Sequence, residues 1–277
     1  MLKEAFNHTR SLVMKRETSV AGTFYPARAI EIERYFEHFS KVYDESLSLP
    51  KMASRAVIVP HAGYIYSGYT ANVAYRILQN SKVKNILVIG PSHRMAFDGV
   101  SLGDYESYET PFGEIQGAKN IQNDLKKRFA LRFIKDAHRE HSTEVQFPFL
   151  KYYLEDVKIV ELIYSNASSD LLSDIIGFTL QNEDCGVVIS TDLSHFYNID
   201  YAHGLDNLCL NAIENLDTNT LGNGCEACGF IGVEAMIKSA IKLRLHSNIL
   251  DYRTSADASD DTDRVVGYVS ACFTDMS

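Results

Sequence analysis

What this sequence lacks narrows its function before any motif is read. No apolar run approaches the roughly eighteen residues needed to cross a bilayer, so no membrane partner is expected. Basic residues are not in surplus: 27 Lys and Arg stand against 36 Asp and Glu, a formal net charge of -9. Nucleic acids and anionic membranes are recognised through basic patches, so neither is expected here. A small molecule, a peptide or a protein remains as partner. The opening stretch, MLKEAFNHTRSLVMKRE, is charged throughout and lacks a signal-peptide core, which points to a cytoplasmic protein. The cysteines (Cys185, Cys209, Cys225, Cys228 and Cys272) are odd in number and scattered over the second half, which suits a reducing compartment better than a disulfide framework. Cys225-Glu-Ala-Cys228 is a CxxC without the second pair that a four-thiolate zinc site needs, so it reads as one candidate cysteine with a neighbour.

What is present is a strand-end pattern that occurs three times. Ala56 to Val59 is a short apolar run stopped by Pro60, and His61 follows, with Gly63, Gly68 and then a helical pattern. Ile86 to Ile89 is closed by Gly90-Pro91, with Ser92 and His93 directly after. Val187 to Ile189 runs into Ser190, Thr191, Asp192, Ser194 and His195. Each histidine alone reads as a loop residue. Loops are usually closed by Gly, Asn, Asp or Ser, however, and the same setting three times points to a shared site. If the three runs are parallel neighbours, His61, His93, Asp192 and His195 gather where open α/β sheets bind ligands, at the carboxyl ends of the strands.

The rest of the chain supplies strands and helices in alternation, without a linker or repeat. Residues 1–15 read as a loose arm and Val20 to Pro26 as a compact turn, while Ala29 to Val42 has helical spacing. Gly99 to Tyr108 alternates and Glu109 to Ile115 reads as a turn, predicting an antiparallel excursion before an amphipathic helix over Lys119 to Phe129. His138 to Leu154 is a helical candidate that Pro148 should kink or end. A strand over Val157 to Tyr164, a helix over Ser168 to Leu180 and a helix over Leu205 to Leu216 precede a Gly-rich loop. The helix Ile231 to Leu243 and two strands, about His246 to Ser255 and Arg264 to Phe273, close the chain around an acidic loop. The fold class is α/β: one domain over residues 1–277, with a mostly parallel sheet covered by helices on both faces.

Two neutral imidazoles need a third ligand to hold one metal ion with a position left open. Asp192 would complete the two-His-one-carboxylate set of non-haem Fe(II). Cys228 is the other candidate, because it follows a Gly-rich loop and precedes a helix, whose N-terminus favours thiolate. Asp192 and His195, three residues apart, could form a catalytic pair in which the carboxylate orients an imidazole acting as acid or base. His141 and Glu144, at i and i+3, share a face if helical and are possible pocket-lining residues, as are Tyr64, Tyr66 and Ser92 beside the strand-end histidines.

Taken together, VAGTFYP, VPHAGYIYSGYTA, ILVIGPSHR, YETPFGE, REHSTEVQFPFL, VVISTDLSHF, the Cys228-Gly229 junction and the closing YRTSADASDDTDRVVGYVSACF resemble the Memo family, also called AmmeMemoRadiSam system protein B. The resemblance runs from about Val20 to Phe273 and implies a single domain similar in fold to the class III extradiol ring-cleaving dioxygenases. It implies metal ligation by His61, His93 and Cys228, with Asp192 and His195 as the nearby catalytic groups, and Fe(II), copper or zinc as the cofactor. The ring-cleaving relatives have a carboxylate where this chain offers Cys228. Animal members bind phosphotyrosine peptides at a surface that includes a tryptophan; the matching position here is Phe24, and the chain has no tryptophan. Microbial members are often encoded beside a radical-SAM protein and an AMMECR-domain protein, which implies these as partners. The implied activities are a metal-dependent redox enzyme, a peptide- or protein-binding module, or a zinc hydrolase.

Overall fold

A computed structural model describes residues 14–275. Residues 1–13 of the expected arm lie outside the described residues, and Lys15 already pairs in a strand. In chain order, β1 (Lys15–Arg16) and α1 (Ala29–Ser46) lead to β2 (Ala56–Val59), α2 (Tyr64–Leu78) and β3 (Asn85–Pro91). The excursion follows as β4 (Val100–Leu102), β5 (Ser107–Tyr108) and β6 (Ile115–Gly117), then α3 (Lys119–Phe129). Next come α4 (His141–Glu144), α5 (Gln146–Tyr153), β7 (Lys158–Tyr164), α6 (Ser169–Leu180), β8 (Cys185–Ser190) and β9 (His195–Tyr197). The chain finishes with α7 (Ile199–Asn215), α8 (Thr218–Gly222), α9 (Phe230–Leu243), β10 (Leu245–Thr254), α10 (Ala256–Ser259) and β11 (Val265–Asp275).

The three apolar runs become parallel neighbours, because β8 inserts between β2 and β3. The main sheet order is β1-β5-β6-β7-β3-β8-β2-β11-β10, with β4 on β7 and β9 on β11. From β6 to β2 every pairing is parallel; β11 and β10 add an antiparallel edge. Side chains of a strand alternate between the faces of a sheet. Accordingly Ile58, Leu87, Ile89, Val187 and Ile189 pack toward α6 and α9, while Val57, Val59, Val88 and Val188 pack toward α1, α2 and α5. Strands buried on both faces require the continuous apolar runs that the sequence shows.

Local chemistry sets the helix ends. Ser168 accepts from the N–H of Asp170 at the start of α6, and Asn198 accepts from Tyr201 at the start of α7, so that helix begins earlier than the apolar pattern from Leu205 predicts. The segment His138 to Leu154 departs from expectation. It divides into a 3-10 turn, α4 and α5, and the break falls at Val145. Pro148 neither kinks nor ends a helix, because it lies in the first turn of α5, where its missing N–H has no intrahelical acceptor to lose. The cysteine reading also needs correction. Cys209 of α7 and Cys225 of the Gly-rich loop form a disulfide, so the second half of the chain is cross-linked.

Candidate metal centre

Pro60 ends β2, and His61 falls at the rim, 2% exposed. Its backbone N–H donates to Asp192 Oδ1 (2.7 Å), and its Nδ1 lies 2.9 Å from Ser190 Oγ, at the end of the adjacent β8. The Ser190 hydroxyl donates its only proton to the Ser142 carbonyl, and it accepts from Gln146 Nε2 at 2.9 Å. Only an acceptor position remains for His61, so Nδ1 carries the proton and Nε2 presents a lone pair. Burial, and then the neighbouring His93 and His141, hold this imidazole well below its ordinary pKa, which keeps it neutral.

His93 follows β3 and is held by Glu140, whose Oε2 accepts its backbone N–H (2.7 Å) and whose Oε1 lies 3.3 Å from its Nδ1. Glu140 is fully buried and caps α4, accepting from the backbone N–H of His141 (2.9 Å) and of Ser142 (3.3 Å). Its Oε1 also lies 2.8 Å from His141 Nδ1. Burial opposes its ionisation, but hydrogen bonds from His141 and His93 outweigh that and hold the carboxyl well below the usual range. An ionised carboxylate only accepts, so His93 Nδ1 is protonated and its Nε2 is free for the site.

Cys228 stands just before α9, with Sγ 3.3 Å from His61 Nε2. Its segment is stitched to the end of β8: Cys228 N–H donates to the Asp192 carbonyl (3.2 Å), Asp192 N–H donates to Cys228 Sγ (3.2 Å), and Gly229 N–H donates to Thr191 Oγ1 (2.8 Å). That approach requires glycine at 229, where an added Cβ would lie 2.6 Å from Thr191 Cβ and 2.9 Å from the Ser190 carbonyl oxygen. Burial works against the thiolate that a helix N-terminus favours. Burial, with the charge of Asp192, pushes the Cys228 thiol up to about 12, so without a metal it stays protonated.

One ligand atom each from His61, His93 and Cys228 lies within 4.8 Å of the others. Asp192, the alternative third ligand, is turned aside: it caps the His61 N–H, and its Oδ2 is 3.9 Å from His61 Nε2. No hydrogen bond joins it to His195 among the described residues, and burial raises its pKa. His195 begins β9, half-buried, near enough for its charge to bear on both His61 and Asp192.

His141 joins the cluster, its ring 4.7 Å from that of His93 and 5.4 Å from that of His61 by centroids. Phe24, in the Val20 to Pro26 turn, packs on it at 4.6 Å. Glu144 does not line the site. Helix α4 is a single turn, and its far end points Glu144 into the interior, where it accepts from Arg16 Nη1 (2.6 Å), Tyr25 Oη (3.0 Å) and the backbone of Ser19 and Val20. Tyr64 is core, donating to the Val145 carbonyl (2.7 Å), and Ser92 closes a turn by donating to the Met95 carbonyl (2.7 Å). Tyr66 is exposed.

Three supporting residues escaped the sequence reading. Glu140 and Ser190 set the two tautomers. Asp206, buried on α7, accepts from the Ser194 N–H (2.9 Å) and from Tyr252 Oη (2.7 Å), fixing the loop between Asp192 and His195. The position of Glu140, beside a histidine where a helix starts, was the one signal available for it.

The fold and this donor cluster define a single-domain α/β protein with a candidate metal centre at the rim of a mostly parallel sheet. The chain belongs to the Memo family: residues 16–272 match the family described as Memo-like protein. It is 34% identical over 282 residues to a MEMO1 family protein of Methanobrevibacter smithii, covering 94% of this chain and 100% of that one. A MEMO1 family protein of Aquifex aeolicus is 31% identical over 269 residues, covering 93% and 98%.

Proposed function

We propose that this chain is a metal-dependent redox protein in which His61, His93 and Cys228 hold one ion, Fe(II) in first place with copper or zinc as competitors. The carrying observation is the 3.3 Å between His61 Nε2 and Cys228 Sγ, with the imidazole lone pair aimed at the sulfur side. Metal–nitrogen bonds of about 2.0–2.1 Å and metal–sulfur bonds of about 2.3 Å put two such atoms about 3.1 Å apart at a right angle and about 3.6 Å apart at the tetrahedral angle. The pair falls between these, and the donors suit iron, zinc or Cu(I). When bound, such an ion supplies electron transfer and Lewis acidity to a ligand at its open position. Ser190 leaves His61 Nε2 a lone pair, Glu140 holds His93 by its Nδ1, and Cys228 gives up a proton on binding. His195, on the exposed side, moves a proton to or from a small-molecule or peptide ligand, and Asp192 holds the His61 backbone in place.

The fold relation to class III extradiol dioxygenases that the family resemblance implies would suit redox chemistry, while a thiolate in place of their carboxylate moves the preference toward softer ions. Protein purified without oxygen tests the reading. About one equivalent of iron or copper is expected in the wild type, with loss in both His61→Ala and Cys228→Ser. Metal-free wild type, or unchanged metal in both variants, refutes it; activity restored by zinc but not iron moves the assignment to a zinc hydrolase.

A second reading is favoured by the apolar side chains Ile65, Tyr66 and Phe196, which are 58%, 42% and 62% exposed close in sequence to His61 and His195. Such residues suit a docking surface for a peptide or for the radical-SAM and AMMECR-domain proteins. Capture of those two proteins by a His61→Ala variant as well as by the wild type would favour that binding role over catalysis.

A further inference from the structure

The sulfur that completes the cluster sits on the connection between α8 and α9. From Asn223 to Ala227 this segment has few polar ties to the body of the protein. Cys225 N–H donates to the Leu221 carbonyl (3.3 Å) within its own turn, and Glu226 meets the Tyr197 hydroxyl. Gly224 takes φ +128°, a conformation that glycine adopts freely and other residues rarely do. The covalent tie upstream of Cys228 is the Cys209–Cys225 disulfide, anchored at Cys209 on α7 with both sulfurs buried, while downstream the Cys228 and Gly229 N–H groups are bound to the end of β8. Cys225 is three residues from Cys228. The cross-link therefore lies immediately upstream of the one ligand that does not come from a strand end.

We propose that the Cys209–Cys225 disulfide is a redox-sensitive latch on the metal-binding loop. Closed, it holds Cys228 against His61; opened, it frees the loop, and the site loses its sulfur. This rests on the metal reading above and extends it: occupancy would follow the thiol redox state of the surroundings. A dithiol reductant supplies the two electrons and two protons. One of its sulfurs attacks a cysteine sulfur, the Cys209–Cys225 bond breaks, and the other cysteine leaves as thiol. The second reductant sulfur then displaces the first cysteine and closes a cyclic disulfide, leaving Cys209 and Cys225 as thiols. Because the disulfide is buried, the reductant reaches it only through transient local openings of the fold, and its reduction is slow.

The test uses the full chain in three states: disulfide intact, treated with dithiothreitol that is then removed without oxygen, and a Cys209→Ser/Cys225→Ser variant. Cobalt(II) affinity is measured by competition with a chelating dye, with the sulfur-to-cobalt charge-transfer band reporting on the thiolate, and labelling of Cys228 by N-ethylmaleimide is timed by peptide mass. In metal-free protein without the disulfide, Cys228 should label at least tenfold faster. Cobalt should bind at least tenfold more weakly, with a reduced charge-transfer band. Equal labelling and equal affinity in all three states would overturn the latch, as would finding Cys209 and Cys225 as free thiols in protein purified in air. Should the intact protein bind no cobalt, the metal reading falls, while the labelling rates still decide the latch. If the variant does not fold, the dithiothreitol-treated wild type provides the same comparison.

Discussion

Glu140 shows how much of this site rests on one side chain that touches no ligand position. Its single carboxylate serves His93, His141 and the first turn of α4. Glu140→Gln preserves shape but removes the charge that fixes the His93 tautomer. Metal affinity should fall about 10–100-fold, measured by dye competition. Glu144→Gln, four residues on and facing the interior, should leave affinity within about threefold while lowering stability. Cys228 gives a second expectation at this scale. Burial pushes its thiol up to about 12 and keeps His61 neutral, so binding an ion at pH 7 releases the Cys228 proton. Affinity should therefore rise about tenfold per pH unit near neutrality, and calorimetry in buffers of differing ionisation enthalpy should count about one proton, absent in Cys228→Ser. The histidines and the cysteine were legible in the sequence because strand ends and a Gly-rich loop are marked by local pattern. Glu140 and Ser190 were not recognised as tautomer-setting, because that role exists only where two segments meet.

At the scale of elements, α4 is the hub between the site and the N-terminal strand. One end presents Glu140 and His141 to the metal cluster. The other places Glu144 against Arg16 of β1, and Arg16 Nη2 lies 3.7 Å from Glu161 of β7, which His138 also contacts at 2.7 Å. Both carboxylates are buried, so removing the one guanidinium leaves Glu144 with neutral donors alone and Glu161 with His138 and Thr143. Arg16→Met should destabilise by about 3–5 kcal/mol in urea unfolding. The same network sets an acid limit. Burial works against ionised Glu161, but His138 and Arg16 outweigh it and its pKa is lowered. Its contribution is therefore present above the unfolded value of about 4.3 and is lost as pH falls from there through the lower folded value. Stability measured by urea should drop steeply below about pH 4 in the wild type and less steeply in Glu161→Gln. The helical candidate His138 to Leu154 contained α4 but did not separate it from α5, since a single turn has no periodicity to read and its cap is a glutamate, not the usual Ser, Thr, Asp or Asn.

For the molecule as a whole, the candidate site is a tie between β2, β3 and the α8–α9 connection, the last of which lies more than a hundred residues from the other two. An ion bound there holds native structure only, so it must stabilise the fold. At a free concentration one hundred times the dissociation constant the gain is about 2.7 kcal/mol, visible as a concentration-dependent rise in melting temperature that His61→Ala abolishes. The sequence determined the α/β class, because buried parallel strands demand apolar runs such as AVIV and CGVVIS, and it determined which residue types stand at their ends. Tertiary structure alone decided the rest. Sheet order brought β8 between β2 and β3, and packing sent Glu144 inward and Glu140 to the site. It also joined Cys209 to Cys225 and buried Cys228 beside Asp192, which raises the pKa of its thiol. The reason is physical: strand formation follows from neighbours along the chain, whereas proton positions, burial and cross-links depend on atoms that only folding brings within a few ångströms of each other.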